Sequence, residues 1–214
     1  RPVPEKIIHR LGEGFYAGCV IKPWASCRAS HPSLDTCVRL VTENQVDLDA
    51  VEQIRIHVTP RTLAGFVGQP FEIGECPEVS GAFSIRFTAA TALMYRTVRP
   101  EHLTLEHMND PRLRALLGKI TLVDSLPAHE YLTAEVELLL QGGSRLRARV
   151  DVPRGDTYAA PLSEAETLDK YYANVEFGGR TSRASAERAA ETINNLESIE
   201  DISALVKLFT PAHP

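Results

Sequence analysis

A short stretch near the start of the chain carries several chemically active side chains. Lys22 supplies an ammonium group, Cys27 a thiol, Arg28 a guanidinium and His31 an imidazole, with the hydroxyl of Ser26 between them. Cations of this kind pair with carboxylates, and arginine does so through two parallel hydrogen bonds. We therefore predict an anionic ligand here, with Lys22 and His31 as catalytic residues and Ser26, Cys27 and Arg28 as substrate-binding residues.

The elements around this stretch indicate how its groups are placed. Pro32 lacks a backbone N–H and suits the first helical position, which predicts His31 as the N-cap of a helix over 32–42. The unpaired amides and positive dipole at a helix start favour an anion and disfavour a protonated histidine. A neutral imidazole there could take a proton from a carbon next to a carboxylate, while Lys22 stabilises the negative charge that develops.

Each of these residues also has an ordinary structural interpretation. A histidine before proline occurs in turns, a lysine at the end of a strand is usually solvated, and Cys27 could be a small buried residue instead of a nucleophile. Arg86 is more informative, because it is the only charged residue over 79–95 and a buried guanidinium must be paired. Its partner could be Glu78, Asp35 or an acidic ligand, so Arg86 is a further candidate for substrate binding.

Hydrophobic periodicity predicts an α+β fold. We expect a small antiparallel sheet with packed helices over 1–157 and a helical tail over 158–214 that begins with a capping box of Ser163 and Glu166. The other predicted elements are a helix over 5–11, an extended run over 15–23, strands over 51–59 and 119–123, a buried helix over 79–96, and helices over 182–196 and 198–209.

One β-hairpin is specified in detail. Apolar residues alternate with polar ones on both sides of a Gly-Gly pair, and both apolar sets must face the core. This requirement excludes a two-residue Gly-Gly turn and predicts a three-residue loop over 141–143. The register then sets Glu137 opposite Arg147 and Glu135 opposite Arg149, which favours a solvated sheet face over a nucleic-acid surface.

Composition excludes several classes of protein. The 214 residues are 43% hydrophobic and 24% charged, with a net charge of −5 and no like-charge run suited to nucleic acid or a membrane surface. No segment approaches the roughly 20 apolar residues of a membrane span or forms a signal peptide, so we expect a soluble, cytoplasmic protein. The four cysteines lack metal-ligand spacing, which favours free thiols and no metal site. A start without methionine suggests a piece of a longer protein.

Three motifs, in order, resemble the second domain of the MmgE/PrpD family. They are Lys22-Pro23-Trp24-Ala25-Ser26-Cys27-Arg28 with His31-Pro32-Ser33-Leu34-Asp35, then Phe83-Ser84-Ile85-Arg86-Phe87, then Val152-Pro153-Arg154-Gly155 leading to Pro161-Leu162-Ser163 and a helix with Lys170. The closing segment, Asn195-Leu196-Glu197 with the residues over 199–205, is also similar. The resemblance thus spans most of the chain.

That family includes 2-methylcitrate dehydratase, cis-aconitate decarboxylase and iminodisuccinate epimerase, cofactor-free enzymes of small di- and tricarboxylates. The resemblance implies a lyase or isomerase that removes a proton next to a carboxylate. A dehydratase-like activity is the first candidate, and epimerase or decarboxylase activities are the alternatives. It implies that Lys22 and His31 face a cleft between two domains, and that Cys27 lies where some relatives carry histidine. It also implies that an N-terminal helical domain is missing here. The helices over 158–214 would pack on that domain, and we expect the full-length protein to be a homodimer.

The chain departs from the family pattern at two neighbouring positions. Phe87 stands where many relatives have tyrosine, and it has no hydroxyl to donate a proton or a hydrogen bond. Arg86 replaces the usual proline or small residue, and it could bind an extra carboxylate of a different substrate. These departures leave a second class of function open, a non-catalytic module that binds carboxylates or a protein partner.

Overall fold

The structure is a computed structural model that describes residues 9, 12–13 and 19–209. All of the predicted helix over 5–11 except residue 9, and residues 15–18 of the predicted extended run over 15–23, fall outside the described residues. The helices are α1 (His31–Asn44), α2 (Pro60–Ala64), α3 (Pro77–Ala82), α4 (Ile85–Tyr95), α5 (Leu105–Met108), α6 (Pro111–Gly118), α7 (Glu164–Gly178), α8 (Arg183–Asn194) and α9 (Ser203–Phe209). The strands are β1 (Val51–Val58), β2 (Ile120–Asp124), β3 (Ala134–Leu140) and β4 (Arg145–Val150).

A four-stranded sheet in the order β2-β1-β3-β4 confirms the α+β class. Strand β1 pairs antiparallel with β3 and parallel with β2, so the sheet is mixed and not wholly antiparallel as predicted. The parallel pair follows from the chain path, because the segment between β1 and β2 crosses over through five helices before it returns.

The hairpin of β3 and β4 has the predicted loop and register. Leu140 N–H donates to Ser144 O at 2.9 Å, which leaves a three-residue loop, and both of its glycines have positive φ. Glu137 lies opposite Arg147, as predicted from the requirement that both sets of apolar residues share one face. The arginine side chain reaches diagonally to Glu135, and the neighbouring charges form further ion pairs on the same solvated face. The stripe is therefore compensated by carboxylates and offers little free positive charge to a nucleic acid.

Helices α1 and α4 cover the opposite face of the sheet and enclose the core. The predicted stripe of α1 is confirmed, since Leu34, Cys37 and Val41 are buried, with Val38 partly so. The helix starts one residue earlier than predicted. A 3₁₀ turn over Arg28–Ser30 precedes it, Ser30 is the N-cap, and His31 is the first helical residue.

The single buried helix predicted over 79–96 is two helices. Helix α3 ends at Ala82, and α4 begins at Ile85 after the N-cap Ser84, whose hydroxyl accepts the N–H of Phe87 at 3.3 Å. Ser84 offers the backbone a local hydrogen bond that ends one helix and starts the next. The resulting corner leaves Phe83 38% exposed.

The capping box of Ser163 and Glu166 is confirmed at the start of α7. Helix α7 packs on α8 and on the 3₁₀ turn Pro100–His102. Apolar side chains of the last helices remain exposed, including Ile193 and Phe209. The predicted boundary near residue 157 and the packing of these helices on another domain stay predictions.

The helix predicted over 198–209 is shorter, because a 3₁₀ turn covers Leu196–Ser198 and α9 begins only at Ser203. The carboxylate of Asp201 accepts the N–H of Ser203 at 2.9 Å and so caps this late start. In the described part of the chain, no helix combines the length and apolar character that crossing a bilayer demands.

Candidate anion-binding site

Three separated parts of the chain line one open concavity. The opening stretch contributes Lys22, Ser26 and Cys27, the corner between α3 and α4 contributes Phe83, and α7 contributes Lys170. The volume of about 370 Å³ lies within the range of roughly 300–1,000 Å³ that small-molecule sites occupy. The concavity therefore has room for a small organic acid.

Backbone hydrogen bonds fix the opening stretch in place. Ala25 N–H donates to Val98 O and Cys27 N–H donates to Ala82 O, both at 2.9 Å. The side chain of Ser26 is also held, because its hydroxyl bonds to that of Ser30 at 2.8 Å. The stretch is therefore tied to the end of α3 and to the residues after α4, which gives its side chains defined positions.

Asp35 of α1 joins the opening stretch to the loop before α7. Its Oδ1 accepts the indole N–H of Trp24 at 2.8 Å, and its Oδ2 accepts the backbone N–H of Arg154 at 2.7 Å. Burial raises the pKa of Asp35, and the two N–H donors and the guanidinium of Arg154 oppose that rise. One carboxylate, only 7% exposed, thus fastens two distant segments to the same helix.

Two ammonium groups face the concavity. Lys22 is exposed, and its Nζ donates to Ser26 O at 3.2 Å. Lys170 is half-buried, and burial together with the charge of Lys22 lowers its pKa. Within residues 9, 12–13 and 19–209, neither lysine forms an ion pair. The positive charge at the concavity is therefore uncompensated by the described chain and favours an anionic ligand.

His31 is completely buried beneath this surface, at 0% exposure. Its Nδ1 lies 3.3 Å from a guanidinium nitrogen of Arg28, and its Nε2 lies 3.4 Å from Ser26 O. A guanidinium only donates and a carbonyl only accepts, so the ring is the neutral tautomer with the proton on Nε2. Burial, reinforced by the charge of Arg28, lowers the pKa of His31 to about 3. The neutral form agrees with the sequence analysis, but burial is the main cause.

The geometry of α1 changes the expected role of His31. Both ring nitrogens are engaged, so a role as base requires Arg28 to release Nδ1, and that role stays a prediction. The first turn of the helix is covered as well, because Ser30, Ser33 and Asp35 are all buried. The helix start therefore does not open directly onto the ligand, contrary to what an N-cap at His31 suggested.

The two predicted arginines hold loops. The guanidinium of Arg28 donates to the carbonyls of Pro153 and Arg154 at 2.9 and 2.6 Å. The guanidinium of Arg86 donates to the carbonyls of Gly68 and Gln69, which replace the three partners considered from the sequence. Neither arginine lines the concavity that contains Lys22.

Two positions differ in importance from the sequence analysis. Lys170 was not among the predicted site residues. The capping box of Ser163 and Glu166 did predict where the helix begins, and Glu166 lies one turn before Lys170 on the same face. Phe87 is fully buried, with its ring stacked on Phe71 at 4.8 Å, so it belongs to the core under the site.

We expect the burial of His31 to make stability depend on pH. The unfolded chain binds a proton at this residue below about pH 6.5, whereas the folded chain does so only near pH 3. This contribution to the free energy of unfolding is therefore complete above pH 6.5 and falls by about 1.4 kcal/mol per pH unit below it. Urea unfolding between pH 7 and pH 5 measures the slope.

The matched variants are His31→Gln, which keeps a donor for Ser26 O, and His129→Gln at an exposed position. We expect the slope to shrink in the first variant and to persist in the second. An unchanged slope in His31→Gln would contradict a buried neutral imidazole.

The site residues lie almost entirely within a segment that matches a known family. Residues 24–198 match the family model described as the MmgE/PrpD C-terminal domain. A search of curated proteins returned no match. The matched range includes the carboxylate of Asp35, the loop at Arg154 and the ammonium group of Lys170.

Proposed function

Because this chain belongs to the MmgE/PrpD family, whose C-terminal domain it matches, we propose that it forms one wall of a site for small di- or tricarboxylates. The observation that carries the proposal is the pair of ammonium groups, Lys22 and Lys170, which face one concavity without a carboxylate partner in the described chain. Such a surface stabilises a bound carboxylate by charge-assisted hydrogen bonds.

The proposed reaction is the removal of a proton from a carbon next to a substrate carboxylate. Negative charge then develops on the carboxylate oxygens, and the ammonium group of Lys22 stabilises it. Departure of a hydroxyl group as water makes the enzyme a dehydratase, which is the first candidate. Return of a proton to the other face makes it an epimerase. A decarboxylase would instead break the bond to a carboxylate, release carbon dioxide and add a proton to the carbanion that remains. None of these steps transfers electrons to an acceptor, so the proposal includes no cofactor.

Lys22 is the residue to which the proposal gives the most direct role, and Ser26 and Cys27 line the ligand beside it. His31 acts either as the base, after Arg28 moves away from Nδ1, or by holding Ser26 O. That carbonyl also accepts from Lys22, so the second role would position the lysine.

A preceding helical domain supplies the opposite wall in this proposal. The matched segment is described as a C-terminal domain, and apolar residues of the last helices, such as Ile193 and Phe209, are exposed. We further propose a homodimer located in the cytoplasm, where the free thiols of Cys19 and Cys76, both exposed, would stay reduced. On this basis we expect no turnover by the isolated chain.

The decisive experiment is solvent exchange by the full-length protein. Citrate, or an iminodisuccinate-like acid, is incubated with the protein in D₂O, and NMR follows deuterium entering the carbon next to a carboxylate. Exchange supports the enzyme. Binding of these acids without exchange supports a non-catalytic carboxylate-binding module, and absence of binding contradicts the proposal.

The same assay tests Lys22. We expect Lys22→Ala to lower the exchange rate at least about tenfold, because it removes one donor that stabilises developing charge. Lys207→Ala, which does not line the concavity, is the matched control and should keep the wild-type rate. Equal rates in the two variants would remove Lys22 from the site.

The non-catalytic module is supported by two specific observations. The ring nitrogens of His31 are both engaged, and Phe87 has no hydroxyl and is buried in the core. A protein that retains the lysine pair but lacks a free base would bind acids without turning them over.

A further inference from the structure

We propose that Lys170 of α7 binds a second carboxylate of the ligand and so makes the site selective for dianions. This inference rests on the proposed function and adds a residue that determines specificity. It assigns α7 a direct part in ligand binding.

Lys170 shares its surroundings with the opening stretch. It lines the same concavity as Lys22 and Ser26 although it comes from a much later part of the chain. The charge of Lys22 contributes to lowering the pKa of Lys170, and the charges of both lysines contribute to lowering that of His31. Lys22 and Lys170 therefore line one concavity whose volume, about 370 Å³, suits a small molecule that contacts both.

A chain of polar contacts orients α7 relative to the opening stretch. Asp35 holds both Trp24 and the backbone of Arg154, and the guanidinium of Arg154 forms an ion pair with Glu166. Glu166 lies one turn before Lys170 on the same side of α7. The exposed ion pair contributes little stability, but it directs the start of the helix toward the motif that carries Lys22.

Three carboxylates of the surrounding segments already accept other donors, and none of them lines the concavity. Those of Asp35 and Glu166 accept the donors already described, and that of Asp156 accepts the backbone N–H groups of Tyr158 and Ala159 at 3.1 and 3.0 Å. Two like charges on one concavity repel each other when the site is empty. A monoanion can neutralise one of them, whereas a dianion neutralises both. The arrangement therefore favours ligands with two carboxylates.

The test compares succinate with its monoamide, succinamate, on the full-length protein by titration calorimetry. The two probes have nearly the same shape and differ by one negative charge. We expect the wild type to bind succinate about tenfold more tightly, as for one charge-assisted hydrogen bond. In Lys170→Gln that ratio should fall to near one, mainly through weaker succinate binding.

Lys170→Arg should keep a preference for succinate, because the charge is retained, and the control Lys207→Gln should keep the wild-type ratio. A wild-type ratio in Lys170→Gln overturns the role of Lys170 while leaving the proposed function in place. Failure of the wild type to bind either probe overturns both.

A second measurement needs no variant and stays informative if Lys170→Gln misfolds. The wild-type protein is acetylated with and without saturating succinate, and mass spectrometry follows each lysine. We expect succinate to slow the modification of Lys170 and not that of Lys207, which does not line the concavity. Equal modification of Lys170 in both samples would contradict direct contact.

Discussion

The Gly155→Ala variant is expected to lose at least ~3 kcal/mol of free energy of unfolding. Gly155 has a φ of +85°, and a Cβ atom added there would lie 1.8 Å from the carbonyl oxygen of Ile21. That segment cannot simply move away, because Ile21 N–H donates to Gly155 O at 3.1 Å. Alanine must therefore break the contact, and since Lys22 is the next residue, ligand binding should weaken together with stability.

Gly142→Ala separates the two causes of this loss. Gly142 has almost the same φ, +84°, but an added Cβ would meet nothing within 4 Å. Gly142→Ala should therefore lose only ~1–2 kcal/mol of free energy of unfolding, which is the cost of a side chain at positive φ. Urea unfolding of both variants gives the comparison. Equal losses would show that the close approach of Ile21 to the loop contributes nothing.

The second large effect is expected at Asp35. Asp35→Asn leaves one oxygen to accept two donors, the indole N–H of Trp24 and the backbone N–H of Arg154, and turns an NH₂ group toward one of them. Removing a buried charge relieves some desolvation, but an unpaired buried donor costs more, so we expect a loss of about 2–4 kcal/mol in the free energy of unfolding.

Asp124→Asn, at the exposed end of β2, is the control and should change stability by less than ~0.5 kcal/mol. Trp24→Phe removes the indole donor together with one ring of a buried side chain. The hydrogen bond to Asp35 is lost in either single variant, so the double variant with Asp35→Asn should lose less than the two single variants added together. Strict additivity, or wild-type stability in Asp35→Asn, would exclude Asp35 as the link between these segments.

Where the sequence determined structure locally, the predictions were correct in detail. Parity of apolar residues was enough to give the loop over 141–143 and the pairing of Glu137 with Arg147, because a shift by one residue would turn every side chain over. The capping box of Ser163 and Glu166 was equally local, since its partners are three residues apart.

Where contacts join distant parts of the chain, periodicity carried no information. The environment of His31 depends on Arg28, which is held by a carbonyl 125 residues away at Pro153. The place of Lys170 in the concavity could not be predicted for a similar reason. A helical pattern indicates which residues share a face, but not which other segment packs against that face. The family resemblance brought these motifs together in order, yet it did not show their contacts.

The corner at Phe83 was missed for a different reason. Small apolar residues on both sides extend the helical pattern through it, and only the hydroxyl of Ser84, which accepts from Phe87, marks the interruption. A serine preceding a helical stripe was the available signal.

The carbonyl oxygen of Ser26 accepts hydrogen bonds from both Lys22 and His31. Because this oxygen belongs to the backbone, it is present whatever side chain occupies position 26. Evolutionary substitutions at this position can therefore reshape the lining of the concavity while the oxygen that orients the ammonium group is inherited unchanged. Position 26 offers a route by which ligand preference can diverge among descendants without rebuilding the cationic anchor.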